Sequence, residues 1–270
     1  MIPRKILVLA ILLFMAYSGV GSLTGQAQST GASFTQPSKL GLDRLIRRRF
    51  SDYYIKRDYG WEVLITEGFY PIGWSKDGKF AYYTEPGDEA CGCYFAKLVI
   101  LDLVSDKVLW SFDYDSSDAE GTGRKNPPTT INALWRENRK LFSSKLNEYE
   151  IKPQGRFSFL LFPINRGSDQ LRADLKIKEN KEEDGIAYGV VAQGTLQLTS
   201  RLSGKKIVFD HNYIKPDEML PLDLKVLGYV KSPFEERIAV VLIEIYRGYE
   251  GPPHTTHIKI AGASLSSGFK

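Results

Sequence analysis

Two cysteines stand two residues apart in this 270-residue chain, Cys91-Gly92-Cys93, and no others occur. Thiols at this spacing can form a disulfide, exchange with other thiols, or ligate a metal. On a regular strand, residues i and i+2 hold their Cβ atoms too far apart for a bond, so a local disulfide requires a turn at Gly92. Four readings therefore stay open: a disulfide that only pins the loop, two separate thiols, a redox pair, and half of a metal site. Periplasmic redox domains usually carry Cys-x-x-Cys at a helix start, and this chain has neither that spacing nor that setting. A metal needs more than two thiolates, and the candidate set is Cys91, Cys93, His254 and His257, with His211 elsewhere. Strand residues three apart face opposite sides, so the two histidines converge only if the Gly251-Pro252-Pro253 loop extends into them. Isolated surface histidines are the plainer reading.

The remaining motifs carry less. Asp113, Asp115, Asp118 and Glu120, ending at Gly121, make an oxygen-rich loop, but the spacing misses the EF-hand pattern and a solvated acidic loop is the simpler account. Gly73 to Lys79 matches G-x-x-x-x-G-K, yet Phe80 stands where Ser or Thr must hold magnesium, and a strand follows where a helix is needed. Gly262-Ala263-Ser264-Leu265-Ser266 lacks the last glycine of a nucleophile elbow. No zinc-peptidase helix or paired catalytic carboxylates stand out, so no catalytic residue and no cofactor are assigned. Tyr53, Tyr54, Tyr82, Tyr83 and Tyr94 could form a sugar-binding platform, although aromatics on strands more often pack cores and edges.

The elements that must position these residues are mostly strands. From Trp61 onward, short apolar or period-two runs rich in β-branched and aromatic residues predict strands at Glu62 to Thr66, Lys79 to Thr84, Tyr94 to Leu103 and Lys107 to Asp113. A later set is predicted at Arg156 to Phe162, Gln170 to Lys178, Gly185 to Leu198, Lys205 to Asp210, Lys225 to Val230, Glu236 to Ile245 and His254 to Ile260. Ser75 to Gly78 and Ser105-Asp106-Lys107 supply turn chemistry. Thr130 can cap an amphipathic helix over Ile131 to Tyr149, and Leu40 to Ile55 suggests a shorter one carrying Arg44, Arg47, Arg48 and Arg49. The fold class is mainly β, with antiparallel sheets built from propeller-like or sandwich-like hairpins and one inserted helix at about 130–150. Gly228 to Val241 echoes Gly73 to Tyr83, as two copies of one hairpin plan would.

Arg4 and Lys5 precede an apolar run from Ile6 to Ala16 and a small-residue segment ending at Ala27, the pattern of a secretory signal peptide over 1–27. Gln28 to Lys39 reads as a flexible leader, and 40–270 as one mainly β domain. Loss of Arg4 and Lys5 takes the formal net charge from +4 to +2, too close to neutral for a nucleic-acid partner. No second run of about 20 apolar residues follows to span a membrane in the mature chain.

Trp74-Ser75-Lys76-Asp77-Gly78-Lys79-Phe80-Ala81-Tyr82, followed by Leu98 to Leu103 and Asp106-Lys107, resembles one blade of the TolB-type (WD40-like) propeller repeat, over about 73–110. Lys76 replaces that repeat's usual proline, and the loop from Glu85 to Gly92 interrupts it. The chain is also similar to bacterial predicted secreted proteins of unknown function, a likeness that implies a compartment and a fold and no functional residues. These readings lead to an exported, non-catalytic binding or scaffolding protein of the bacterial cell envelope, secreted or periplasmic, with a protein or envelope component as partner. The alternative is a thiol-redox or metal-binding protein using the Cys91-Gly92-Cys93 loop.

Overall fold

The computed structural model describes residues 32–270 except 55, 58–59, 62, 122, 181–189, 216–218 and 250. The expected signal peptide, the start of the expected leader, Glu62, and the predicted Glu179 to Gly185 turn with the beginning of the strand after it lie wholly or partly outside the described residues. The chain is mainly β, 47% strand and 15% helical, and one of its sheets curls into a half-barrel.

The first described helix, α1 (Asp43–Arg49), is followed by a 3-10 turn, Ser51–Tyr53. Three two-residue strands come next, β1 (Lys56–Arg57), β2 (Gly60–Trp61) and β3 (Leu64–Ile65). An antiparallel meander then runs through β4 (Gly68–Trp74), β5 (Lys79–Glu85), β6 (Phe95–Asp102) and β7 (Lys107–Asp115). Two helices follow, α2 (Ser116–Gly121) and α3 (Ile131–Glu148), and β8 (Lys152–Pro153) returns to pair with β4.

The second half opens with β9 (Phe159–Leu160) and continues into a four-stranded sheet of β10 (Ile164–Arg166), β11 (Asp169–Glu179), β12 (Val191–Ser200) and β13 (Gly204–Asn212). It ends in the long strands β14 (Asp223–Lys231), β15 (Arg237–Tyr246) and β16 (His254–Ser264). Hydrogen bonding orders the first sheet β7-β6-β5-β4-β8 and the last β3-β16-β15-β14-β9.

Three apolar clusters set the layers. Ile131, Leu134, Trp135, Phe142 and Leu146 of α3 pack on Tyr70, Ile72, Tyr83, Leu98 and Ile100. The opposite face of that sheet, with Phe69, Trp74, Phe80, Val99 and Leu101, meets Ala239, Val241, Ile243 and Ile245 of β15, and α1 adds Ile46 with Leu42 and Phe50 at its two ends. The far face of β15, with Ile238, Val240 and Leu242, packs on Leu171, Leu196 and Leu198 of the β10–β13 sheet. The order is therefore helix, sheet, sheet, sheet. Because β15 is covered on both faces, its sequence is a continuous apolar run and not an alternating one.

The two central sheets repeat one plan. In each, a glycine bulge breaks the register, at Pro71/Gly73 in β4 and at Val226/Gly228 in β14. Past each bulge the face of the strand reverses, so Trp74 joins Phe69 on one side and Val230 joins Leu227. A Cβ at Gly73 would strike the carbonyl of Lys152, and one at Gly228 the carbonyl of Leu160, where β8 and β9 cross. Each hairpin turn is held by a buried serine, Ser75 accepting from the Lys79 amide at 2.8 Å and Ser232 from the Phe234 amide at 3.2 Å. The hairpin echo in the sequence is thus a structural repeat. Among the described residues only three sheets stack, short of the four blades a closed propeller requires, and α3 occupies the outer face of the first.

Three expectations are corrected. The described part of the leader is tied down: Phe34 is buried against α3, and its carbonyl accepts from the Trp135 indole at 3.5 Å while Asn147 donates to the Ala32 carbonyl at 3.0 Å. One aromatic side chain in a polar segment is enough when a helix leaves a slot for it. The helix proposed over Leu40 to Ile55 shrinks to α1 and the 3-10 turn, and the strand proposed over Arg156 to Phe162 shrinks to Phe159–Leu160. The inserted helix stands as read, capped by Thr130, whose Oγ1 accepts from the Ala133 amide at 3.3 Å. Replacing Phe34→Ala should lower the unfolding free energy by about 3 kcal/mol in a urea titration; a change below about 1 kcal/mol would show that the docked leader contributes little.

Candidate functional site

A hollow of 790 Å³ forms a groove that straddles the outer edge of β16. On one side lie Tyr82, Thr84, Val99, Leu101 and Val108 of the first sheet, and on the other Glu244, Tyr246, His257 and Lys259. Two smaller hollows, of 480 and 470 Å³, lie beside Arg49, Arg172 and Lys225 and beside Lys39 and Arg156.

Backbone pairing explains why the groove exists. Residues facing outward from an edge strand present both N–H and C=O, and β3 pairs with β16 only at His254 and Thr255. Past that point side chains replace a strand. The Glu67 carboxylate accepts from the Ile258 amide, while the Glu67 amide donates to Thr256 Oγ1 at 2.9 Å. Four residues farther on, Asp106 accepts from the Gly262 amide at 2.6 Å. Asp106 sits in the β6–β7 turn at φ 55°, a left-handed conformation that Asp tolerates better than most residues. That turn is pressed on Gly262, where a Cβ would strike the Leu103 carbonyl, and Arg237 Nη1 donates to the same carbonyl at 2.9 Å.

The acids of the groove are thus engaged internally. Glu244, 1% exposed, accepts from Tyr213 Oη at 2.7 Å and Tyr246 Oη at 3.2 Å, with Lys259 Nζ at 3.8 Å. Burial raises its pKa, opposed by the Lys259 charge and the two tyrosine hydroxyls. Burial likewise pushes Glu67 up to about 7, against the Ile258 and Thr84 hydrogen bonds, with Glu244 adding to the rise.

The cysteines lie in a loop beside one end of the groove, whose lining there includes Pro86, Glu89 and Arg247. Cys91 and Cys93 are joined as a disulfide, with Cα atoms 5.1 Å apart, and Gly92 turns at φ 68°. Asp88 gathers the amides of Ala90, Cys91 and Cys93 at 3.0, 3.2 and 2.8 Å, and these bonds, the Ala90 amide first, hold its carboxyl below the usual range. Glu89 accepts from the Tyr249 amide at 2.9 Å, tying this loop to the one before β16. His254 and His257 fall on different sides of β16. His254 accepts from the Gly248 amide at 3.3 Å and meets Tyr53 edge-on, whereas His257 packs on Tyr246 in the groove. The structure therefore does not gather Cys91, Cys93, His254 and His257, and no group of three or more His, Cys, Asp or Glu among the described residues could hold a metal.

Compared with known proteins, the chain matches no family model, no curated protein and no solved structure. The site must be read from its own geometry.

The tyrosine platform does not form. Tyr82 faces the core between the sheets, and Tyr83 turns the other way onto Trp135 and Tyr94. The acidic loop is divided as well: Asp113 pairs with Lys97 at 2.8 Å, and Asp115 accepts from the Ser117 amide at 2.8 Å as α2 begins. Sequence reasoning missed Glu67, Asp106 and Glu244. Glu244 had left a signal, as the one charge inside the apolar run from Ile238 to Ile245.

Glu67 yields a pH test. The folded chain holds a proton near pH 7 that the unfolded chain has released, so this contribution is full below pH 4.5 and is lost as pH climbs through 7. Between those values the wild type should lose about 3 kcal/mol of unfolding free energy relative to Glu67→Gln, measured by urea titration across that range. Parallel curves for the two proteins would contradict the assignment.

Proposed function

We propose that this chain is an exported, non-catalytic binding protein of the bacterial cell envelope, and that the groove along β16 is where it receives its partner. What carries the reading is the use of the groove's carboxylates. Glu67 and Asp106 serve as acceptors for backbone amides and Glu244 for tyrosine hydroxyls, so each of these carboxyls is engaged in holding the fold together. Exposed apolar side chains stand at the rim, Val108 at 59% and Met219 at 55%. The export half of the reading is supported by the N-terminal pattern through Ala27 and by the disulfide, since such bonds persist in oxidising compartments. The likeness of Trp74 to Tyr82 to a TolB-type blade points to the same compartment.

Photo-crosslinking in the producing cell tests the binding half. A photoreactive residue at Val108 or Met219 should give discrete adducts with an envelope polypeptide, while one at Ile207, equally exposed on β13, should not. Equal yields at all three positions, or none, would defeat the proposal. The thiol alternative is checked by replacing Cys91→Ala and Cys93→Ala together. The adducts should persist, and the purified wild-type chain should gain about 2 Da on reduction, as thiol formation requires. Loss of the adducts with the cysteines would favour thiol exchange instead.

A further inference from the structure

Resting on that reading, the structure assigns the partner a conformation. The repeated plan pairs β8-β4-β5-β6-β7 with β9-β14-β15-β16-β3. In the first sheet the outer edge of β6 is covered along its length by β7, from Phe95–Asp115 to Asp102–Lys107. Among the described residues, the matching edge of β16 has only the two-residue, parallel contact of β3. The described part of the second copy has no full-length last strand, and the groove lies in that strand's place.

We propose that an extended segment of a partner polypeptide adds to β16 between the Glu67 and Asp106 carboxylates, as the missing antiparallel strand. The amides of Ile258 and Gly262 mark the ends of the free stretch, four residues or about 13 Å apart. By the alternation of the ladder, the N–H and C=O of Ile260 face the same gap midway between them. An added strand turns alternate side chains to the two walls. One wall is apolar, with Val108 59% exposed above the buried Val99 and Leu101, and asks for apolar residues at every second position. Charge sets the rest. On the opposite wall Lys259 keeps its side chain 44% exposed while its partner Glu244, 3.8 Å away, is 1% exposed, and Glu67 and Asp106 are taken up by the amides, so the charge met by the intervening side chains is positive. The complement is therefore a segment whose intervening positions are acidic.

The test begins with the full chain as bait for displayed nine-residue peptides carrying alternate apolar positions and randomised intervening ones. Selection should enrich Asp and Glu at the intervening positions. One selected peptide, synthesised, should protect the Ile260 amide from hydrogen exchange. Ile260→Pro removes an outward-facing N–H without touching the ladder to β15, the setting in which an edge strand accepts proline. It should weaken the peptide at least tenfold, as should Val108→Glu, with thermal midpoints close to wild type. Val108→Glu keeps the test open should Ile260→Pro fail to fold.

A footprint elsewhere, or no enrichment over a scrambled library, would overturn the strand assignment. Rim crosslinks retained beside such a result would leave the binding reading standing, while their loss as well would remove both. Protection of the Ile260 amide before any peptide is added would also overturn the partner: dependence on protein concentration would give the edge to a second copy, and independence would give it to another part of this chain.

Discussion

The fold turns on what becomes of one strand edge. An antiparallel strand satisfies half its backbone groups on each side, and a side that leaves water must find partners elsewhere. β16 closes a sheet whose two faces are both covered, so its outer edge lies beside neighbouring layers. The solution is piecemeal: two residues of β3, then Thr256 and Glu67, then Asp106 from a turn of the other sheet. Each of these fixes something larger. Glu67 draws the segment before β4 toward β16, and the turn carrying Asp106 presses the first sheet onto Gly262. The groove is the interval between these two attachments.

The same economy accounts for the unusual state of Glu67. A carboxyl in place of a strand carbonyl can accept the Ile258 amide, but burial penalises its charge, which is why its pKa climbs toward neutrality. Burial raises Glu244, nearby, as well, opposed by two tyrosine hydroxyls and the Lys259 ammonium. The disulfide loop adds a third kind of constraint. Asp88 organises its backbone and Glu89 fastens it to the loop before β16, so the long excursion between β5 and β6 shapes one end of the groove.

Much of this was legible in the chain. The hairpin turns at Ser75 to Gly78 and at Ser105 to Lys107, the helix after Thr130 and most long strands follow from local chemistry, in which the nearest residues decide the backbone. Period two failed where a bulge intervened, because one extra residue, Ile72 before Gly73 or Leu227 before Gly228, reverses every face beyond it. It also failed for Phe34, whose burial depends on a slot that α3 and the first sheet make together.

The sequence alone determined a β scaffold, a repeated hairpin and a cysteine pair able to bond only through a turn at Gly92. These depend on residues close along the chain, where turn propensity and side-chain period act directly. Only the tertiary structure decided that Glu67 and Asp106 would meet amides more than 150 residues away, that the cysteines and histidines would stay apart, and that a strand edge would remain for a groove. Those outcomes depend on which sheets stack and in what order, and no local pattern encodes the contact between layers.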